Sequence, residues 1–202
     1  MHQLDLMIAT RNEGKLREIA ASLADLPVRL GGFADFPHLQ EAEETGVTFA
    51  ENAMLKARAC AAQTKLLTIA DDSGLEVDAL DGRPGIRSAR YAGENKSDEE
   101  RMERLLAELG DVPEEKRQAR FVCALAVADP TTNFLQVFTG TCEGRIAFQP
   151  RGGSGFGYDP IFIPDGYRQT FGELPTRVKK QISHRARALE AAASFLRERI
   201  AG

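Results

Sequence analysis

Leu4-Asp5-Leu6-Met7-Ile8-Ala9, followed by Thr10-Arg11-Asn12-Glu13-Gly14-Lys15, is the stretch that decides the fold. Its first six residues read as a short buried strand, and the next six turn the chain into a helix. Leu16, Ile19, Ala20 and Leu23 then fall at helical spacing and form one apolar stripe. A strand around Val28 to Leu30 completes a βαβ start, the opening of an α/β architecture.

Outward from that start, Glu41 to Gly46 is an acidic loop, and Thr48 with Glu51 makes a capping-box pattern. A helix is expected from there to about Gln63. Leu66 to Ala70 reads as a second short strand, ending in Asp71-Asp72-Ser73-Gly74. Gly82 to Gly93 is expected to be irregular. Ser97 and Glu100 repeat the capping box ahead of Met102, Leu105, Leu106 and Leu109, and Gly110 is a stop. Phe121 to Ala128 is apolar on both faces, as a central strand is. Asp129 to Asn133 is a turn, and Phe134 to Cys142 pairs back as a strand. Gly152 to Gly157 is a glycine-rich loop. Arg185 to Ile200 is an amphipathic helix that buries Leu189, Ala193, Leu196 and Ile200. The hairpin rules out an all-parallel sheet, so a mixed one is expected, within one domain spanning residues 1–202.

The 202 residues suffice for a large core, with 43% hydrophobic content and a net charge of −4. A general nucleic-acid binder carries a basic excess, and none is present. Cys60, Cys123 and Cys142 are scattered and odd in number, without a C-x-x-C pair. A reducing, cytoplasmic setting is expected. The first residues lack the pattern of a signal peptide. No apolar run approaches the roughly 20 residues of a membrane helix.

Several clusters offer chemistry. Thr10-x-Asn12-x-x-Lys15 stands between strand and helix, where backbone N–H groups and a lysine make an anion site. Taken alone, it also reads as a turn with a solvated lysine. Asp71 and Asp72 follow a buried strand, the place of magnesium carboxylates or of an Asx-type turn. Glu43 and Glu44 form a second acidic pair, which in isolation reads as solvated loop acids. Asn52 and Lys56 share a helix face. Ser154 to Pro160 combines glycines with Phe156 and Tyr158, where a ring can stack on a base or simply pack. Lys179, His184 and Arg185 gather cations near the start of the last helix. Ser183 as an N-cap could alone explain the segment, but the helix dipole disfavours cations there, which suggests an anionic or polar ligand.

Six segments occur in order: Thr10-x-Asn12-x-x-Lys15, Thr48 to Ala57, Ala70 to Leu75, Pro84 to Tyr91, Gly155 to Pro160 and Ile182 to Arg185. Together they resemble the inosine triphosphate pyrophosphatase family in its bacterial XTP/dITP diphosphatase form, over nearly the whole chain. The resemblance implies an elongated, two-lobed α/β fold around a mixed sheet with flanking helices, an active-site cleft and a homodimer. It implies magnesium-dependent hydrolysis of small-molecule purine nucleoside triphosphates (ITP, dITP, XTP) to a monophosphate and pyrophosphate, with no nucleic-acid or membrane partner. Thr10, Arg11, Asn12, Glu13, Gly14 and Lys15 would hold the phosphates. Asp72 would be catalytic and a metal ligand, with Glu43 as the second metal residue. Asn52, Lys56, Ser73, Phe156, Gly157, Tyr158, Asp159, Lys179, His184 and Arg185 would contact the nucleotide. His184 and Arg185 are the donors offered to the keto oxygen of the base. One departure is Arg177-Val178 just before Lys179, where the family often has acids. A Maf-type pyrophosphatase and a non-catalytic nucleotide sensor are the competing readings.

Overall fold

The strand–helix–strand opening forms as its pattern requires. In a computed structural model, which describes residues 4–201, β1 spans Leu4–Ile8, α1 Glu13–Ser22 and β2 Val28–Gly31. The elements that follow are α2 (Phe49–Thr64), β3 (Leu67–Val77), α3 (Asp98–Leu109), β4 (Gln118–Asp129), β5 (Phe134–Ile146), β6 (Phe162–Pro164), α4 (Thr176–Ile182) and α5 (His184–Ala201). The six strands make one sheet in the order β2-β1-β3-β4-β5-β6. β1 runs parallel to β2 and β3, while β5 and β6 are antiparallel. The sheet is therefore mixed, as the hairpin at Asp129 to Asn133 demands.

The chain divides into two compact units. The first comprises residues 1–72, 123–140 and 185–202. Alternate residues of its strands, Leu6 and Ile8, Leu67 and Ile69, Leu125 and Val127, turn to one face. There they pack with Ile19 and Leu23 at α1 and with Ala188, Leu189, Ala192 and Leu196 of α5. The expected burial of Ile200 falls outside the described side chains. α2 buries Ala53, Ala57 and Cys60, and the Cys60 side chain lies beside Thr68. Thr68 alternates with Leu67 and Ile69, so it belongs to the other face.

The second unit comprises residues 73–122 and 141–184. Its core holds Leu75, Val77, Leu105, Phe121, Phe162 and Phe171. The rings of Phe121 and Phe162 lie 4.6 Å apart. Arg117 is buried there because carbonyls satisfy it. Its guanidinium donates to the oxygens of Ile146 and Val112, both at 3.1 Å.

Four elements differ from expectation, among them β6, a short strand at Phe162–Pro164 that the sequence pattern does not announce. β3 does not stop at Ala70 but runs through Asp71-Asp72-Ser73-Gly74 to Val77. The two acids are strand residues and form no turn, because every residue from Leu67 to Asp72 is buried and extended pairing continues. β5 extends to Ile146, and α4 is a helix the apolar pattern does not announce. No described helix is long and apolar enough to cross a membrane.

Candidate active site

In the first unit the site grows from the end of β1. Asn12 caps α1, its side-chain oxygen accepting from the Lys15 amide at 2.9 Å. Thr10 Oγ1 accepts from the Asn12 amide at 3.2 Å. This cap starts the helix at Glu13 and turns Lys15 inward, where its Nζ lies 3.2 Å from Asp71 Oδ1. Gly14 is buried. Arg11 points elsewhere, pairing with Glu41 at 2.7 Å and lying over the Phe33 ring. Glu13 is exposed beside Arg17.

Asp71 and Asp72 are consecutive strand residues, so their side chains leave β3 on opposite faces. Asp71 continues the Leu67–Ile69 series toward α1 and α5. Asp72 continues the Thr68–Ala70 series toward α2. There Asn52 Nδ2 donates to Asp72 Oδ2 at 3.2 Å, and Lys56 Nζ donates to Asp72 Oδ1 at 3.0 Å. The i, i+4 spacing of Asn52 and Lys56 brings both to one carboxylate. Thr48 and Glu51 form the capping box that fixes where this helix begins. Asn52 also accepts from the Gly46 amide at 2.8 Å, tying down the acidic loop.

That loop presents Glu44 to the site. Its carboxylate meets Lys56 Nζ at 3.1 Å. It is Glu44, the neighbour of the expected Glu43, that converges with Asp72 on the Lys56 ammonium. Burial is the largest influence on Asp72 and pushes its carboxyl above the usual range, against Lys56 and Lys15, with Glu44 adding to the rise. For Lys56, burial works downward, but Asp72, Asp71 and Glu44 outweigh it and hold the ammonium above its ordinary value.

Asp71 is 1% exposed. Burial alone would raise its carboxyl, but Lys15, Arg185 and Lys56 overcome that and hold it well below the usual carboxylate range. Arg185, on the first turn of α5, donates its Nε to Asp71 Oδ2 at 3.1 Å and its Nη1 to Glu18. Near this helix start, Arg185 is thus paired with two carboxylates, Asp71 and Glu18.

The second unit organises the glycine-rich loop. Asp159 Oδ2 accepts from the Phe156 amide at 2.9 Å and from Lys179 Nζ at 2.6 Å. Lys179 Nζ sits 4.5 Å from the Phe156 ring centroid, backing one face of it. Gly155 has φ +84°, and a Cβ there would lie 2.0 Å from Asp159 Oδ2. The Gly157 amide donates to Asp98 at 2.6 Å, and the Tyr158 hydroxyl donates to the Ser88 carbonyl at 3.0 Å. His184 is buried, its ring stacked 4.8 Å from Phe121. Ser73 is half-buried on β3.

The reading of residue patterns did not single out Glu18, Asp98 or Ser88 as site residues. Glu18 has a signal, since it lies one turn beyond Lys15. Asp98 has none apart from its place at a helix start, where an acid serves the dipole.

This is an α/β protein in which two buried carboxylates of β3, Asp71 and Asp72, are paired with Lys15 of α1 and Lys56 of α2. A model of the Ham1 family matches residues 6–195, and the chain belongs to the Ham1 family. It is 50% identical over 185 residues to a dITP/XTP pyrophosphatase of Bacillus cereus, covering 91% of this chain and 90% of that one. A dITP/XTP pyrophosphatase of Geobacillus kaustophilus is 54% identical over 185 residues, covering 92% and 90%. A HAM1 protein from Coxiella burnetii superposes with a TM-score of 0.89 at 41% identity, over 97% of this chain and 100% of that one. The Ham1 protein of Staphylococcus aureus gives 0.86 at 44% identity, over 96% and 99%.

Proposed function

We propose that this chain hydrolyses non-standard purine nucleoside triphosphates (ITP, dITP and XTP) between the α- and β-phosphates, releasing the monophosphate and pyrophosphate. The observation that carries the reading is the convergence of Asp72 and Glu44 on one ammonium, 3.0 and 3.1 Å from Lys56. Two oxygens that share one cation fit a magnesium ion, which takes one or two carboxylates and keeps the rest of its shell for water and phosphate. No group of three or more His, Cys, Asp or Glu residues able to hold a metal exists among the described residues. The Asp72 and Glu44 carboxylates offer oxygen donors only, the kind Mg²⁺ takes. When bound, Mg²⁺ would neutralise phosphate charge and polarise the bond to be broken.

Asp72 holds and orients the attacking water and accepts its proton. Asn52 fixes the Asp72 carboxylate, and Lys56 stands ready to face developing phosphate charge. Lys15 and the amides at the start of α1 bind the phosphate chain. Phe156 stacks on the base, its other face backed by Lys179. His184 offers a donor to the keto oxygen, which an amino group leaves unpaired. The same reading carries a cytoplasmic homodimer, measurable by sedimentation. A pyrophosphate-release assay with Mg²⁺ across ITP, XTP, dITP, GTP and ATP tests it: turnover of the first three far above ATP is expected, and equal turnover of all five overturns it.

A further inference from the structure

We infer that Asp71, adjacent in sequence to the proposed catalytic carboxylate, is a positioning residue that sets Lys15 through a buried ion network with Arg185 and Glu18. The inference rests on the proposed phosphate role of Lys15. Strand alternation separates the two carboxylates. Asp71 leaves β3 on the face of Leu67 and Ile69, among residues packed with α1 and α5. Asp72 leaves on the other face, with Asn52 and Lys56. One metal ion on the Asp72 and Glu44 oxygens therefore does not draw on Asp71.

Lys15, Arg185, Asp71 and Glu18 balance as two cations and two anions, joined by the Lys15–Asp71, Arg185–Asp71 and Arg185–Glu18 contacts. A buried ion network contributes little to stability compared with an apolar residue of the same size. At the end of an apolar series such a residue would pack as well, so stability alone does not account for an acid at this position.

The side chains of Asp71 and Arg185 are 0% and 2% exposed, whereas that of Lys15 is 16% exposed. Glu18 is 23% exposed but is an anion, so Lys15 is the exposed cation through which the pair formed by Asp71 and Arg185 meets a phosphate. Asp71 restrains its ammonium, and Arg185 restrains Asp71. Sequence reading offered Arg185 to the base. Its guanidinium is paired here with Asp71 and Glu18, which links it to Lys15 through Asp71.

A double-mutant cycle on the full chain tests this. Asp71→Asn, Lys15→Ala and the double variant are compared for KM with ITP, for Mg²⁺ half-saturation, and for binding of inorganic tripolyphosphate with Mg²⁺ by calorimetry. Asp71→Asn is expected to weaken both triphosphates roughly tenfold or more, the worth of a charged hydrogen bond. Once Lys15 is absent it should add less than about twofold, since coupled residues are not additive. Mg²⁺ half-saturation should stay within about twofold, and Asp71→Glu should restore binding. Additive losses, or a large shift in Mg²⁺ half-saturation, overturn the inference. If Asp71→Asn does not fold, Arg185→Lys keeps the charge but loses the fork, and the same cycle with Lys15→Ala decides. Absent pyrophosphate release by the wild type would sink the proposed function, while the calorimetric cycle would still decide the role of Asp71.

Discussion

Asp72 illustrates what a single residue contributes. Its carboxyl is held above the usual range chiefly by burial. A carboxyl whose folded pKa is raised favours the fold while protonated, and that contribution is lost as pH rises past the unfolded value, about 3.9, toward the folded one. At neutral pH, in metal-free protein, ionised Asp72 therefore costs stability. Asp72→Asn should lower kcat by about 10²- to 10⁴-fold, the usual range for losing a general base. Thermal melting of the metal-free variant should show Tm unchanged or higher. A drop of many degrees would make Asp72 a structural residue. Arg185→Ala tests the opposite kind of residue. Breaking a buried pair from one side costs about 3–5 kcal/mol, so Tm should fall. Turnover of ITP and ATP should fall by similar factors, because the guanidinium holds Asp71. A loss confined to ITP would return Arg185 to the base, the role the sequence pattern suggested.

At the scale of elements, legibility followed local chemistry. The capping boxes at Thr48 and Ser97 and the Gly110 stop fixed α2 and α3 because capping is a contact within one turn. β3 was cut short because two adjacent acids read as the end of a buried strand. Only their partners on α1, α2 and α5, distant in sequence, make extended burial of Asp71 and Asp72 tolerable. α4 has one capping proline and seven residues, too short for a helical stripe to register. Glu44 rather than Glu43 reaches Lys56 for a similar reason: loop geometry selects between neighbours that composition cannot separate. The glycine-rich loop was legible as a loop, but not its keystone, Asp159. Gly155→Ala tests that keystone. The new methyl group meets Asp159 Oδ2 and demands a left-handed backbone at φ +84°. Displacing this carboxylate releases the Phe156 amide and Lys179 together. KM should rise for ITP, XTP and GTP alike, since stacking is indifferent to base identity. An unchanged KM in steady-state kinetics would detach the loop from substrate.

For the whole molecule, the net charge of −4 sets a problem that the local arrangement answers. A triphosphate approaching an acidic protein meets repulsion unless cations are concentrated where it binds. Lys15 and Lys56 supply two, but both are already paired, with Asp71 and with Asp72 and Glu44. The lysines alone therefore cannot neutralise the ligand, and a divalent cation brought in with it can. Softer ions are not favoured, because the converging donors are oxygens only. Three consequences can be measured together. Activity should vanish in excess EDTA and return with Mg²⁺, with Mn²⁺ substituting in part. Mg²⁺ alone should shift Tm little, because two carboxylates already held by an ammonium bind it weakly. Mg²⁺ with a non-hydrolysable α,β-imido analogue of ITP should shift Tm strongly, since a ligand at a hundred times its Kd stabilises the fold by about 2.7 kcal/mol. The analogue without metal should fall well short of that. If it stabilises the protein equally in EDTA, the two lysines suffice for the phosphates, and the pairing of Asp72 with Glu44 has no metal to explain it.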